Sequence, residues 1–174
     1  MKYSMLLASL SLTLSLAACD TGNDELAQEL ETSSDTWQAL ASDAPAGYGY
    51  TRQFESFAGF GFITSFEVVS DQVTMRSYEA YDVDEFGDRV TTDTWTETGS
   101  ELGSHEVGHP LLTIDQIYEQ CRDDVLTRDP SENTLILSFH ENGILRTCHY
   151  VPNDCLDDCS FGVDIASLEL LGAL

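Results

Sequence analysis

The hydrophobic pattern changes period along the chain, and each change marks a boundary. From Met5 to Ala18 apolar residues run on without a period, broken only by serine and threonine. Asp20 to Asp43 is polar and acidic, with a weak helical period through Leu26, Leu30 and Trp37. Within it, Ser33-Ser34-Asp35 can cap a short helix that carries Trp37 and Leu40. Pro45 and Gly47 end that region. From Tyr48 the period becomes two. Tyr48, Tyr50 and Phe54 alternate with Thr51, Gln53 and Glu55, the signature of a strand with one dry face. Phe57 to Phe62, interleaved with Ala58, Gly59 and Gly61, reads as an aromatic turn. A second strand follows through Phe66 and Val68, then a turn at Ser70-Asp71 and a third strand from Val73 to Tyr81. After the acidic run 82–88, a threonine-rich strand covers Val90 to Thr98. Short polar turns between such strands predict an antiparallel meander.

The clearest helix spans Leu111 to Val125. Thr113 and Gln116 form a capping box, and Ile114, Ile117, Tyr118, Cys121 and Val125 fall on one stripe, so Cys121 points into the core. Asp129-Pro130 stops it. The clearest hairpin runs from Thr134 to His140, turns at Asn142-Gly143 with positive φ at both positions, and returns from Ile144 to Tyr150. That register pairs Phe139 with Arg146, Leu137 with Cys148 and Leu135 with Tyr150, and turns Cys148 inward. A last strand, Val163 to Leu170, completes the sheet. The expected fold is α+β: an antiparallel sheet with one main helix packed on one face. Residues 37–174 form the domain and residues 19–36 an acidic tether.

The first segment changes the picture of where this domain works. Lys2, the apolar run and the small residues Leu16-Ala17-Ala18 before Cys19 have the layout of a bacterial lipoprotein signal. A run of about 14 residues is short of the roughly 20 that cross a bilayer as a helix. Residues 1–18 are then a signal peptide, Cys19 becomes the lipidated N-terminus with its palmitate-type chains, and the domain hangs from a membrane of the cell envelope. A cleaved signal peptide with a chance cysteine and an uncleaved membrane helix are the alternatives. Asp20 resembles an inner-membrane retention signal, a rule that is not general, so the leaflet stays open.

The cysteines agree with this address. Five are present; with Cys19 given to lipid, Cys121, Cys148, Cys155 and Cys159 form an even set for an oxidising compartment. Three connectivities exist. The inward faces of helix and hairpin favour Cys121 with Cys148, which leaves Cys155 and Cys159 to close a small acidic turn. Lys2 is the sole lysine, so six arginines face 31 acidic residues after cleavage. Such a chain repels nucleic acid and anionic lipid; the excess favours a cationic partner, divalent ions or a salty habitat, and its plainest meaning is a soluble surface.

Two motifs carry candidate chemistry. The run Asp82-Val83-Asp84-Glu85-Phe86-Gly87-Asp88 resembles a calcium loop, but Phe86 and Asp93 stand where that loop needs an oxygen ligand and a bidentate glutamate, so a hairpin tip is expected. His105-Glu106-Val107-Gly108-His109 matches the zinc-hydrolase pattern H-E-x-x-H, with Glu106 as base and Asp115 in the place of a third ligand. The pattern needs a helix. Gly103 and Gly108 weaken one, and Pro110 costs about 3 kcal/mol in a helix interior and biases His109 away from it. A solvated loop is therefore expected. His140 and His149 lie on the polar face of the hairpin, and no metal or cofactor is implied.

Tyr48-Gly49-Tyr50-Thr51, the helix start Thr113-Ile114-Asp115-Gln116-Ile117-Tyr118, the hairpin end Tyr150-Val151-Pro152 and the strand Val163-Asp164-Ile165-Ala166-Ser167-Leu168 recur together in one known arrangement. In this the chain resembles a family of uncharacterised bacterial lipoproteins that carry a domain of unknown function. The likeness spans roughly Trp37 to Leu170 and implies no activity or catalytic residue. That family often has a Cys-x-Cys pair where this chain has Phe54 to Phe57. The expected function is a lipid-anchored envelope protein with a non-enzymatic binding or interaction role. Its partners are the membrane and an unidentified envelope protein or ligand. The alternatives are a zinc hydrolase using His105, Glu106 and His109, and a scaffold presenting its sheet or the loop Phe57 to Phe62.

Overall fold

A computed structural model of the chain describes residues 21–43, 46–156 and 159–172. The signal segment and Cys19 lie outside the described residues. In order, the elements are α1 (Thr21–Ser42), β1 (Tyr48–Ser56), β2 (Phe60–Val69), β3 (Gln72–Val83), β4 (Arg89–Thr98), α2 (Ile114–Gln120) with a π-helical turn at Cys121–Val125, β5 (Asn133–Phe139), β6 (Leu145–Pro152), β7 (Phe161–Asp164) and β8 (Ser167–Leu170). Together they make an α+β fold with antiparallel strand pairing throughout.

The strands form two sheets and not one. A five-stranded sheet has the order β4-β3-β2-β1-β8, and a three-stranded sheet the order β5-β6-β7. The single last strand of the sequence reading is in fact two short ones. β7 pairs with β6, and after Ile165 and Ala166 the chain crosses to pair β8 with β1. Ile165 donates its N–H to Arg146 O and Ala166 donates to Thr51 O, so the crossing residues stay bonded to both sheets.

The helices also differ from expectation. Residues 21–36, read as a tether, belong to a continuous 22-residue helix whose Leu30, Ser33 and Trp37 are buried. The spacing Leu26, Leu30, Ser33, Trp37, Leu40 is a regular helical stripe, and its central serine hides it from a count of apolar residues. The predicted main helix is seven residues of α-helix followed by the five-residue π-turn. Its capping box forms as expected: Thr113 accepts from Gln116 N–H while the Gln116 side chain accepts from Thr113 N–H.

One core joins all these elements. Leu30 and Trp37 of α1, Tyr48, Tyr50, Phe66 and Val68 of the larger sheet, Ile114, Ile117 and Tyr118 of α2, and Leu145 and Val163 of the smaller sheet are in mutual contact. Cys121 and Cys148 meet in its centre as a disulfide with Cα atoms 5.7 Å apart, and both are fully buried. Cys155 and Cys159 form the second, with Cα atoms 6.1 Å apart.

The hairpins exchange the turn chemistry predicted for them. Leu135 faces Tyr150 and Leu137 faces Cys148 as expected, but a bulge after Ser138 pairs Phe139 with Leu145. The β5–β6 connection is wider than two residues: Gly143 N–H donates to His140 O, His140 N–H donates to Ile144 O, and only Gly143 has positive φ. The two-residue turn with both central residues left-handed is instead at Ser70 and Asp71, with φ of 51° and 59°. The acidic run closes as a hairpin tip, where the Asp84 carboxylate accepts from Phe86 and Asp88 N–H groups.

Candidate functional site

The H-E-x-x-H segment is not helical. It is a loop wound over the inner face of the five-stranded sheet, with Gly108 at φ 88°. The loop is held by a buried ion pair that the sequence reading did not single out. Arg76 on β3 and Glu97 on β4 face each other across the ladder. Arg76 Nε donates to Glu97 Oε2 at 3.0 Å, and its Nη2 donates to Oε1 at 3.0 Å. The remaining guanidinium donors reach the loop: Nη2 bonds His105 O at 2.8 Å and Nη1 bonds His109 O at 3.2 Å. Glu97 in turn accepts from Gly103 N–H, Ser104 Oγ, His105 N–H and His105 Nδ1. Burial alone would raise its pKa, but these donors outweigh burial and hold the carboxyl well below the usual range.

Two of the three candidate zinc ligands are thus occupied elsewhere. The His105 ring bonds Glu97 and stacks on Trp95 with centroids 4.3 Å apart. Asp115, the third position, accepts from Trp37 Nε1 at 3.1 Å and from Gln38, which locks α2 to α1. Among the described residues no three His, Cys, Asp or Glu side chains are grouped to hold one metal ion. His105, Glu106 and His109 therefore lack the helical spacing on which the zinc expectation rests.

His109 has a different neighbourhood. It lines a cleft of about 320 Å³ together with Arg52, Gln53 and Phe54 of β1, Gln120 at the end of α2, His149 of β6, and Ser160, Gly162 and Asp164 of the β7 strand and its approach. The cleft has a topological origin. β8 covers the edge of β1 only from Tyr48 to Thr51; beyond Thr51 the chain has crossed to the smaller sheet, and the outer edge of β1 is released. A side chain takes over there: Asp164 Oδ2 accepts from Gln53 N–H at 3.1 Å. At the other wall Gly162 lets β7 press on β6. A Cβ there would lie 2.1 Å from Cys148 O and 2.8 Å from His149 Cα.

The polar groups of the cleft are only partly satisfied. Arg52 is 3 % exposed. Its Nη2 makes long contacts with Gly162 O at 3.4 Å and Asp164 Oδ1 at 3.5 Å, while its Nε is buried with no acceptor among the described residues. His109 Nε2 is likewise buried and without a partner among them. The His109 backbone N–H is fixed by Thr64 Oγ1 at 3.1 Å, and its ring packs on Phe62 with centroids 5.1 Å apart. His149 Nδ1 lies 2.9 Å from Ser160 Oγ. Burial, reinforced by the Arg52 charge, pulls the His109 pKa down to about 4. Burial also lowers that of His149. Both shifts favour the neutral imidazole, and Arg52 and Asp164 are the arginine and the acidic residue of the cleft lining.

Of the candidate zinc-site residues His105, Glu106, His109 and Asp115, His109 alone lines this cleft. Sequence pattern sets His149 on the polar face of its hairpin, whereas the structure turns it to the cleft with Arg52. One signal could have found Arg52: it occupies the dry phase of the strand, between Tyr50 and Phe54. The aromatic turn is shorter than expected, because Phe60 to Phe62 belong to β2; Phe57 in the turn is 78 % and Phe86 on the neighbouring hairpin tip 81 % accessible. No known protein family, no curated protein and no solved structure matches this chain.

Proposed function

We propose that this protein is lipid-anchored in the bacterial cell envelope through Cys19 and that its domain is a non-enzymatic binding module whose ligand site is the cleft between the sheets. One observation carries the reading. A buried arginine and a half-buried histidine line one cleft, each with a buried side-chain nitrogen that has no partner among the described residues, and a buried donor left unpaired costs about 1–3 kcal/mol. A ligand that accepts from these groups removes that cost. The cleft volume is at the small end of the range of ligand sites. The address rests on the residues before Cys19 and on the even set of cysteines that remains when Cys19 is set apart.

Native mass spectrometry of the chain purified from its own membranes tests both halves. The expected result is an acylated Cys19 and a non-covalent adduct that Arg52→Lys removes. An unmodified Cys19 overturns the anchor. One zinc per chain, lost in His105→Ala, would overturn the binding reading in favour of a hydrolase.

A further inference from the structure

The ligand's chemical class can be narrowed further, on the basis of the binding reading above. We infer that the cleft takes a small oxyanion, a carboxylate or phosphate group, which the Arg52 guanidinium grips through its free Nε–H and which His109 Nε2 orients. The argument starts from the donors. A guanidinium carries N–H groups and no acceptor, so the unpartnered Nε of Arg52 can be satisfied only by an acceptor atom. Arginine is preferred over lysine at oxyanion sites because its planar fork matches two oxygens at once. Here one prong is poorly used: Nη2 reaches Gly162 O at 3.4 Å and Asp164 Oδ1 at 3.5 Å, beyond the usual range of a charge-assisted bond. Asp164 is held back from Arg52 because its other oxygen accepts from Gln53 N–H, where β1 has lost its neighbour strand. The carboxylate therefore offsets the arginine's charge without filling its donor edge.

The second orphan fits the same ligand. His109 Nε2 in its N–H tautomer donates to a second oxygen, while Thr64 Oγ1 accepts from the residue's backbone N–H and the Phe62 ring packs against the imidazole. Around them Gln120 and Ser160 add neutral polar groups, and Phe54 and Pro110 close the apolar side. Size and charge limit the ligand. The cleft holds about 320 Å³, enough for a small organic acid or phosphate monoester. The strongly negative net charge of the chain opposes a polyanion.

The test uses the full chain in detergent, with inorganic phosphate and acetate as separate probes at constant ionic strength. The expected result is a saturable shift of the Arg52 Nε–H resonance and a rise in the unfolding midpoint with at least one probe. Phosphate alone acting would assign a phosphate group, and acetate acting would assign a carboxylate. Arg52→Lys keeps the charge but loses the fork, and should weaken the active probe about tenfold, the equivalent of one charge-assisted hydrogen bond. The resonance is read in the unmutated chain, so the outcome does not depend on that variant folding. His109→Gln should weaken the same probe with Arg52 intact. A linear, non-saturating shift with both probes overturns the oxyanion assignment, as does a midpoint that rises equally in Arg52→Lys. The binding reading would survive that failure if the adduct from membranes proved neutral or cationic and was still lost in Arg52→Lys.

Discussion

Arg76 and Glu97 form a two-pronged buried pair across β3 and β4, and between them they fasten the loop from Gly103 to His109. Removing one partner of such a pair leaves an uncompensated buried charge, which costs about 3–5 kcal/mol. Arg76→Met should therefore lower stability by that order, read as a fall in denaturant midpoint. It should also free the loop, seen as faster hydrogen exchange at His105 and His109 N–H. A pair that served the sheet alone would leave the loop's exchange unchanged.

Acid should weaken this protein before it reaches the carboxylate range. His109 has its pKa lowered from 6.5 to about 4 in the folded chain, so the unfolded chain binds the proton first. Stability is fully present above pH 6.5 and falls as pH drops from there toward 4, by up to about 3 kcal/mol. His149 adds to the same slope, since burial lowers its pKa too. Glu97 contributes at lower pH: its folded pKa is depressed, so its share is lost only as pH falls below the usual carboxylate value. Thermal midpoints taken across pH should show the first slope, and His109→Gln should flatten it.

The two disulfides should differ in what they contribute. Cys121 and Cys148 close 27 residues of chain, which in the loop-entropy account corresponds to about 3.5 kcal/mol. Cys155 and Cys159 are four residues apart and correspond to about 2 kcal/mol. Cys121→Ala with Cys148→Ala should lower the unfolding midpoint more than Cys155→Ala with Cys159→Ala. Denaturant curves of the two double variants decide the order.

Ser70 and Asp71 hold a left-handed turn that Asn-Gly would hold at lower cost. Replacing the pair by Ser70→Asn and Asp71→Gly should stabilise the protein by about 1 kcal/mol, visible as a higher melting temperature. Asn142→Gly should bring no such gain, because Asn142 does not adopt positive φ.

Most strands and the α2 cap were legible in the sequence because they depend on neighbours in the chain. Thr113 and Gln116 bond each other, and the alternation from Tyr48 to Phe54 follows the pleat. What stayed hidden depends on long-range polar contacts. Ser33 looks like a surface or capping residue, yet its hydroxyl sits 2.7 Å from Tyr118 OH, and that hydroxyl accepts from Leu145 N–H. Three elements meet on two hydroxyls, and no apolar periodicity reports it. The cleft was hidden for a similar reason. Arg52, His109 and Asp164 are brought together only because Phe161–Leu170 serves both sheets, and a pattern read as one continuous strand cannot reveal the crossing.

That shared terminal segment also sets an order of events during synthesis. Tyr48 must wait for Leu170 before its strand has a second neighbour, although the meander β1 to β4 can assemble long before then. Until residues 167–170 arrive, β1 presents an open edge, the kind of edge that recruits other chains. Pairing across so much chain is slow to form. A chain cut short near Phe161 would carry a sticky sheet edge and an unfinished cleft, so one segment both covers the edge of β1 and completes the cleft wall.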